Sequence, residues 1–374
     1  AELAAGTGVS AATTQLNPGT AYEAETGRPV YTKYDWSLDE GSREVIGMTG
    51  DDYGAWVVES HQESHPGGPW KQHMTAHQTE STPVLLLMWA STHYGTHGRT
   101  VLSGNESRVF GPKYLHFNTG ASLSAMRADA KTWNDRSLHR SFYDGLGIPD
   151  WTTTANLADV SGDLSIAGSG PLENATIILS EDGEDFQFSR KGYVYYRTTD
   201  TSGEFLLDDV RPGSYRLSAV APGIYGEFIV DGVVVSAGTP LDLGSLAWTP
   251  PDFGSDLWQI GTFDRSAEDY LHGSNDDYRR WGLWFDYPTE FPSDVHFVIG
   301  TSDPAVDWNY AHFERTSTTP SPICTASATS PEWEVEFSGA GVPPNRLATL
   351  TVAVAGQRGA DLEVRLNGDF VGTW

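Results

Sequence analysis

Residues 202–221 read SGEFLLDDVRPGSYRLSAVA, and this stretch decides the fold. Its two halves, SGEFLLDDV and GSYRLSAVA, alternate apolar with polar residues, the period of a strand with one buried face. Between them VRPG makes a turn. Pro212 presets φ, and Gly213 is expected to take the positive-φ position behind it. The same rhythm runs outward in both directions. VSGDLSIAG, ATIILSED and GYVYYRTTD come before, GEFIVDGVVV and LDLGSLAW after, with turn signals about every 8 to 15 residues. That spacing describes a small antiparallel β-sandwich over residues 156–250. The prolines of WTPPDFG close it as a linker, because neither can donate to a sheet ladder.

On the N-terminal side, GAWVVES, PVLLLMWAS and PKYLHFN read as further strands within residues 1–155. ASLSAMRADAKTWNDRSLHRSFYDGL differs: Leu123, Met126, Ala130 and Trp133 fall near helical spacing, which predicts one helix ending at the Gly145 to Pro149 punctuation. After the linker, residues 251–374 are rich in Trp and Tyr. There HFVIG, EWEVEF, ATLTVAVAG and DLEVRLNG read as strands, with Asn367-Gly368 opening a hairpin. The expectation is an all-β chain of three units.

Composition narrows the function classes. A chain of 374 residues is long enough for about two or three domains, each with its own core. The net charge of −27 argues against nucleic acid, whose binding needs clustered Lys and Arg. An acid-rich, lysine-poor surface suits a protein kept soluble in salt or in an acidic medium. The longest apolar run, PVLLLMWA, is too short to span a bilayer. AELAAGTGVS at the start has no charged region followed by an apolar one, so no signal peptide is expected in it, which leaves export open. Cys324 is the only cysteine, so neither an intrachain disulfide nor a cysteine metal site is expected.

Seven of the eleven histidines lie between His61 and His116. Three pairs are spaced i, i+4: His61/His65, His73/His77 and His93/His97. On a helix each would be a zinc clip. Pro66-Gly67-Gly68-Pro69, Gly95 and Gly98 mark these segments as strand and loop, where that spacing fixes no common face. Most of these histidines read as surface or packing residues. Metal-free acid–base chemistry is the other possibility for this region. Removal of the acidic C5 proton of a uronic acid needs a base, a neutraliser for the carboxylate and often an acid for the leaving oxygen. In YTKYDWSLDE (31–40), Lys33 is one of only five lysines, and desolvation or a nearby cation would make it a competent base. In STHYGTHGR (91–99), His93 titrates in the right range.

The run IGMTGDDYGAWVVESHQESHPGGPWKQHMTAH, then VLLLMWASTHYG and FGPKYLHFNTG, closely resembles rhamnogalacturonan lyases of polysaccharide lyase family 4. YTKYDW resembles the segment that carries the family's catalytic lysine, and STHYG the one that carries its catalytic histidine. The resemblance thereby implies catalytic roles for Lys33 and His93. SGEFLLDDVRPGSYRLSAVAPGIYGEF looks like the family's fibronectin type III-like domain. LWQIGTFDRSAEDY, YRRWGLWFDYPTEFPSDVHFVIG and ATLTVAVAGQRGADLEVRLNG look like its carbohydrate-binding jelly-roll domain. The implied architecture is the C-terminal part of a catalytic β-sandwich (1–155), a fibronectin type III-like sandwich (156–250) and an incomplete jelly roll (251–374). Departures from the family are specific. Lys33 stands much nearer the start than in other members, which implies truncation at both ends. The family's upstream carboxylate-holding arginine has no counterpart, and two cleft tyrosines of some members correspond to Leu86 and Met88.

The implied activity is β-elimination at the rhamnose–galacturonic acid (1→4) bond of the rhamnogalacturonan I backbone of pectin, leaving a 4,5-unsaturated galacturonate. Lys71, His73, His77, Arg99 and Lys113 are candidate substrate contacts. Between Asp51 and Gly120, six acids stand against four bases and seven histidines, a balance suited to a polyanion. Trp56, Trp70 and Trp89 are read as core rather than sugar platforms. Trp258, Trp281, Trp284 and Trp308 are left between those two roles. Asp35, Asp39 and Glu40 are read as a solvated loop, although a structural calcium is allowed there. No cofactor is required by the chemistry. The partner is pectic polysaccharide, with no nucleic acid and no membrane, and the protein is expected to be a secreted, extracellular monomer. Two alternatives stand beside this reading: a non-catalytic pectin-binding derivative of such a lyase, and a histidine-based metallohydrolase.

Overall fold

The computed structural model describes residues 3–4, 36–38, 45–50, 52–59, 63, 67–69, 74–79, 82–87, 103–183, 185–189, 192–273, 287–313, 315–316, 328–329, 331–339, 346–354 and 361–373. At 3–4, 36–38, 74–79, 82–87, 315–316 and 328–329 the description is of backbone alone. Contacts divide the chain into two compact units, one of residues 1–252, 279–293 and 311–331, the other of 253–278, 294–310 and 332–374.

Among the described residues, seven strands precede the first helix: β1 (Leu3–Ala4), β2 (Trp36–Leu38), β3 (Val45–Gly50), β4 (Tyr53–Glu59), β5 (Met74–Thr79), β6 (Thr82–Leu87) and β7 (Lys113–Thr119). They form two sheets, in the orders β1-β3-β4-β7 and β2-β5-β6. Alternation sends Gly54, Trp56 and Val58 of β4 inward, where Trp56 and Val58 pack with Val45, Met126 and Ala130. Trp56 is therefore core, as its strand pattern predicts. Its indole N–H donates to Asn118 Oδ1 at 2.9 Å. A side chain at Gly47 would run into the Trp56 ring.

The single helix expected over 121–146 is two helices, α1 (Leu123–Lys131) and α2 (Arg136–Asp144). Asp135 makes the break. It leaves helical geometry at φ −114° and accepts a hydrogen bond from Leu138 N at 3.0 Å as the N-cap of α2. Trp133 then sits in the connecting turn, about half exposed, while Met126 and Ala130 carry the buried face.

A turn of 3-10 helix at Thr154–Asn156 leads into the second sandwich. Its strands are β8 (Ala158–Ile166), β9 (Gly170–Pro171), β10 (Thr176–Glu181), β11 (Val194–Thr198), β12 (Glu204–Val210), β13 (Gly213–Val220), β14 (Phe228–Val235) and β15 (Leu241–Trp248). One sheet has the order β11-β10-β13-β14, the other β12-β8-β15, with β9 pairing on β8. Each strand read from sequence in this region is present. Phe205 and Leu207 of β12 point inward between exposed Glu204 and Leu206, and join Leu164, Ile177, Leu217 and Trp248 in one core. Two expectations are corrected. The sandwich is not wholly antiparallel, because β15 pairs with β8 in parallel. β15 follows β14 across to the other sheet, and a connection that changes sheets is free of the hairpin's antiparallel constraint. Gly213 does not take a positive φ either: it already belongs to β13, opposite Val235. The left-handed residue is Asp209 (φ 56°), at the register shift where β12 leaves β8.

Beyond the linker come α3 (Tyr287–Glu290), β16 (Val295–Val298), α4 (Pro304–Asp307), β17 (Arg315–Thr316), β18 (Ala328–Thr329), β19 (Trp333–Glu336), β20 (Glu363–Leu366) and β21 (Asp369–Thr373). In the second unit β16 and β19 pair in parallel. Phe297 is buried there, edge-on to Trp308 at 5.7 Å, and Trp308 meets Trp333 at 4.8 Å. Trp258 meets Phe337 at 5.4 Å, so both described tryptophans of the open set pack on another ring while staying partly exposed. Asn367 (φ 51°) and Gly368 (φ 85°) turn the hairpin of β20 and β21 as expected. ATLTVAVAG departs from expectation. Residues 346–354 are not a strand, and Leu347, Leu350, Val352 and Val354 are exposed. Among the described residues they find no ladder partner, and β-propensity alone does not hold a strand.

Candidate functional site

Lys33, His93, Lys71, His73 and Arg99 lie outside the described residues, as do Asp35, Asp39, Glu40, Trp70, Trp89, Met88, Trp281, Trp284 and Cys324. Of the histidine pairs only the backbone of His77 is described. The strands around these positions are nonetheless ordered in a specific way. β2 starts at Trp36, three residues after Lys33, opposite Ala76 of β5. β5 starts at Met74, one residue after His73, opposite Leu87, where β6 ends six residues before His93. β2 and β6 both run antiparallel to β5, so the start of β2 and the end of β6 face opposite ends of this sheet. His77 lies on the middle strand of this sheet, opposite Val84, and Leu86 lies on β6 opposite Thr75. The sheet touches the other one where β3 meets β6.

Lys113 opens β7 opposite Glu59 and is half-buried. By alternation it shares a face with Leu115 and Phe117, which are 72% and 70% exposed. His116, on the opposite face, reaches Asp129 Oδ2 of α1 at 2.8 Å. Hydrogen bonds from Asn118 and His116 hold the Asp129 carboxyl below its usual range. This histidine is absorbed by helix packing.

Sequence reading missed a buried ionic centre where the β4–β5 loop meets the second sandwich. Glu63 is fully buried, and Arg211 donates to it through Nε at 2.8 Å and Nη2 at 2.9 Å. The third guanidinium nitrogen of Arg211 donates to Thr152 Oγ1 at 2.8 Å. Arg140 of α2 adds a second positive charge, with Nη2 3.7 Å from Glu63. Arg211 faces the Tyr193 ring at 4.7 Å, and Arg140 faces Trp151 at 5.0 Å. The backbone of Arg211 is held as well: its N–H donates to Tyr195 Oη and its carbonyl accepts from Tyr215 Oη. Burial pushes both tyrosines above their ordinary range, so both hydroxyls stay protonated. Against the cost of burial, the hydrogen bonds and charge of Glu63 raise the Arg211 pKa, whereas burial lowers that of Arg140. The available sequence signals were weak: a turn arginine, and an acid inside a histidine-rich loop.

Comparison with known proteins adds identity to this geometry. Residues 168–243 match polysaccharide lyase family 4, domain II, and residues 256–374 match polysaccharide lyase family 4, domain III. A relative from Aspergillus niger named "Probable rhamnogalacturonate lyase B" is 31% identical over 358 residues, which is 88% of this chain and 49% of the relative. Rhamnogalacturonate lyase B of Emericella nidulans is 29% identical over 380 residues, 94% of this chain and 56% of its own. The chain spans about half the length of the curated relatives it matches. With two consecutive family domains in order and relatives aligned along most of its length, the chain belongs to polysaccharide lyase family 4.

Proposed function

We propose that the chain serves a lyase that breaks the rhamnose–galacturonic acid (1→4) bond of rhamnogalacturonan I by β-elimination. The observation that carries this reading is the alignment of 88% of the chain with a relative named as a rhamnogalacturonate lyase. The C5–H of galacturonate is acidic because its carboxylate takes up the developing charge. A base removes that proton, the electron pair forms the C4–C5 double bond, and O4 leaves with the rhamnose-side chain, taking a proton from an acid. Lys33 and His93 are the base and the acid or carboxylate-side partner, and their roles are interchangeable because coupled titrations belong to the pair. The likeness of YTKYDW and STHYG to the family segments that carry the catalytic lysine and histidine supports this assignment. Lys71, His73, His77, Arg99 and Lys113 are the proposed contacts to substrate carboxylates.

The reaction consumes no water and transfers no electrons between molecules, so it needs no redox cofactor. Metal is not required for the chemistry, and a structural calcium is compatible with it. The proposed setting is extracellular, on pectic polysaccharide, as a monomer. Incubation with rhamnogalacturonan I tests the reading. Products lighter by one water than hydrolysis would give, with the ultraviolet absorbance of an unsaturated uronate, are expected. Hydrolytic masses would overturn it. Retained affinity for pectin fragments with no double-bond product would favour the second reading, a binding protein, which the carbohydrate-binding-like match at residues 256–374 supports.

A further inference from the structure

The chain has ten asparagines, and two of them stand two residues before a hydroxyl: Asn105-Glu106-Ser107 and Asn174-Ala175-Thr176. Neither middle residue is proline, so both read Asn-x-Ser/Thr, the acceptor pattern for N-linked sugar. So short a pattern also arises by chance, and the fold supplies the discrimination. Both asparagines lie in turns outside the strands, and both are exposed. Among the described residues, neither side-chain amide meets a hydrogen-bond partner. Asparagines outside the pattern are used differently. Asn118 accepts from Trp56 and donates to Met126 O and Asp129 Oδ2, Asn156 donates to Thr153 Oγ1, and Asn309 is buried.

Neither turn uses the acceptor amide. The first closes on itself: Glu106 N donates to Ser103 O at 2.9 Å, and the Glu106 carboxylate accepts from Ser103 N at 3.1 Å and Oγ at 3.2 Å. In the second, Asn174 has φ 60°, which asparagine tolerates, and its backbone N–H donates to Thr199 O at 3.2 Å. Its side chain stays in solvent.

We propose that Asn105 and Asn174 carry N-linked glycans, added during export from a sugar donor activated at C1 as a diphosphate ester. In the transfer the amide Nδ2 attacks C1. The N–C1 bond forms as the C1–O bond breaks, the diphosphate leaves with that electron pair, and one amide proton passes to a base. The fold sets the order of events. Thr176 opens β10 between Thr198 of β11 and Val220 of β13, and Ser107 Oγ donates to Asp150 Oδ2. Both residues are thus engaged once the chain has folded, so transfer comes first. Afterwards both asparagines stand in solvent, where a glycan displaces no packing. The sites mark opposite ends of one strand of the second sandwich. Asn174 leads into the start of β10, and the segment after Asn105 reaches its end, where Arg108 meets Glu181 at 2.7 Å. The inference rests on the extracellular setting proposed above, because such glycans are added to exported chains.

The experiment takes the protein from the culture medium of its source, digests it, and weighs the peptides that hold each asparagine. Amidase deglycosylation in heavy-oxygen water then marks each formerly glycosylated asparagine as labelled aspartate. Sugar-bearing peptides are expected at both positions. Ser107→Ala is expected to lose the glycan at Asn105, and Thr176→Val the one at Asn174, each leaving the other in place. If either variant fails to fold, Asn105→Gln or Asn174→Gly, the latter free at that φ, replaces it and should show the same loss of mass. Bare asparagines in the exported protein overturn the proposal and leave the extracellular setting intact; one bare position strikes that site. A bare chain retained in the cell overturns both. A glycan on Asn174 that survives Thr176→Val overturns its assignment to the acceptor pattern.

Discussion

Glu63 and Arg211 lie 148 residues apart in the chain and meet as a two-point carboxylate–guanidinium pair, with 0% and 3% of their side chains exposed. Such a pair gains little over a well-packed apolar replacement, but removing one partner strands a buried charge. Glu63→Ala is therefore expected to cost about 3–5 kcal/mol in the unfolding transition that includes the second sandwich. The double variant Glu63→Leu with Arg211→Met should regain most of that loss. Denaturant titration of the three proteins checks both statements. A loss below about 1 kcal/mol in the single variant would place the pair in a solvated setting.

Gly68 and Phe186 make the second fastening by shape alone. Gly68→Ala forces a methyl into the ring and a side chain into left-handed backbone, so a cost of about 1–3 kcal/mol is expected. Phe186→Leu in the same chain should relieve the crowding but not the backbone strain. The double variant is then less destabilised than the sum of the two single variants, by an amount smaller than the full cost of Gly68→Ala. A cycle without coupling would show that ring and glycine do not touch.

His139 is expected to make the folded protein acid-sensitive. It is buried on α2 with its ring 3.8 Å from that of Tyr114. Burial pulls its pKa below the ordinary imidazole value, and the nearby Asp135 charge only partly opposes this. The unfolded chain then binds the proton more readily than the folded one. The neutral ring's contribution is complete above about pH 6.5 and is lost as pH falls from there through the lower folded value. His139→Phe should flatten the drop in thermal midpoint below about pH 6.5 relative to wild type. Parallel curves would show that this histidine does not titrate on folding.

Legibility tracked the range of the interaction. The second sandwich and the last hairpin were readable because their signals are local: Phe205 and Leu207 alternate with Glu204 and Leu206, and Asn367-Gly368 marks the turn between β20 and β21. The helix break at Asp135 was also local, but its capping signal was outweighed by apolar periodicity continuing to Trp133. The parallel pairing of β15 with β8 depends on how two sheets stack, which no window of sequence contains. ATLTVAVAG failed in the opposite sense, since its composition suits a strand but a strand also needs a partner. At the site, Lys33 and His93 stood out through residue type and family likeness. Glu63 and Arg211 did not, because nothing within several residues of either names the other.

The proposed chemistry makes its own demand on two side chains. Lys33→Ala removes the base or its partner, and His93→Ala removes the other member, while the carboxylate contacts remain. Each variant is expected to lose all but a small fraction of the unsaturated product, less than about a tenth of the wild-type rate. Affinity for rhamnogalacturonan fragments should stay near wild type in both, because Lys71, His73, His77, Arg99 and Lys113 carry most of the proposed substrate contacts. For an acid and a base acting together, kcat/KM of the wild type should be bell-shaped in pH, its limbs belonging to the pair. Each single variant should lack the limb of the missing group in whatever rate survives. A rate above about a tenth of wild type in one variant would remove that residue from the mechanism. Loss of binding in step with rate would move it to the substrate contacts instead.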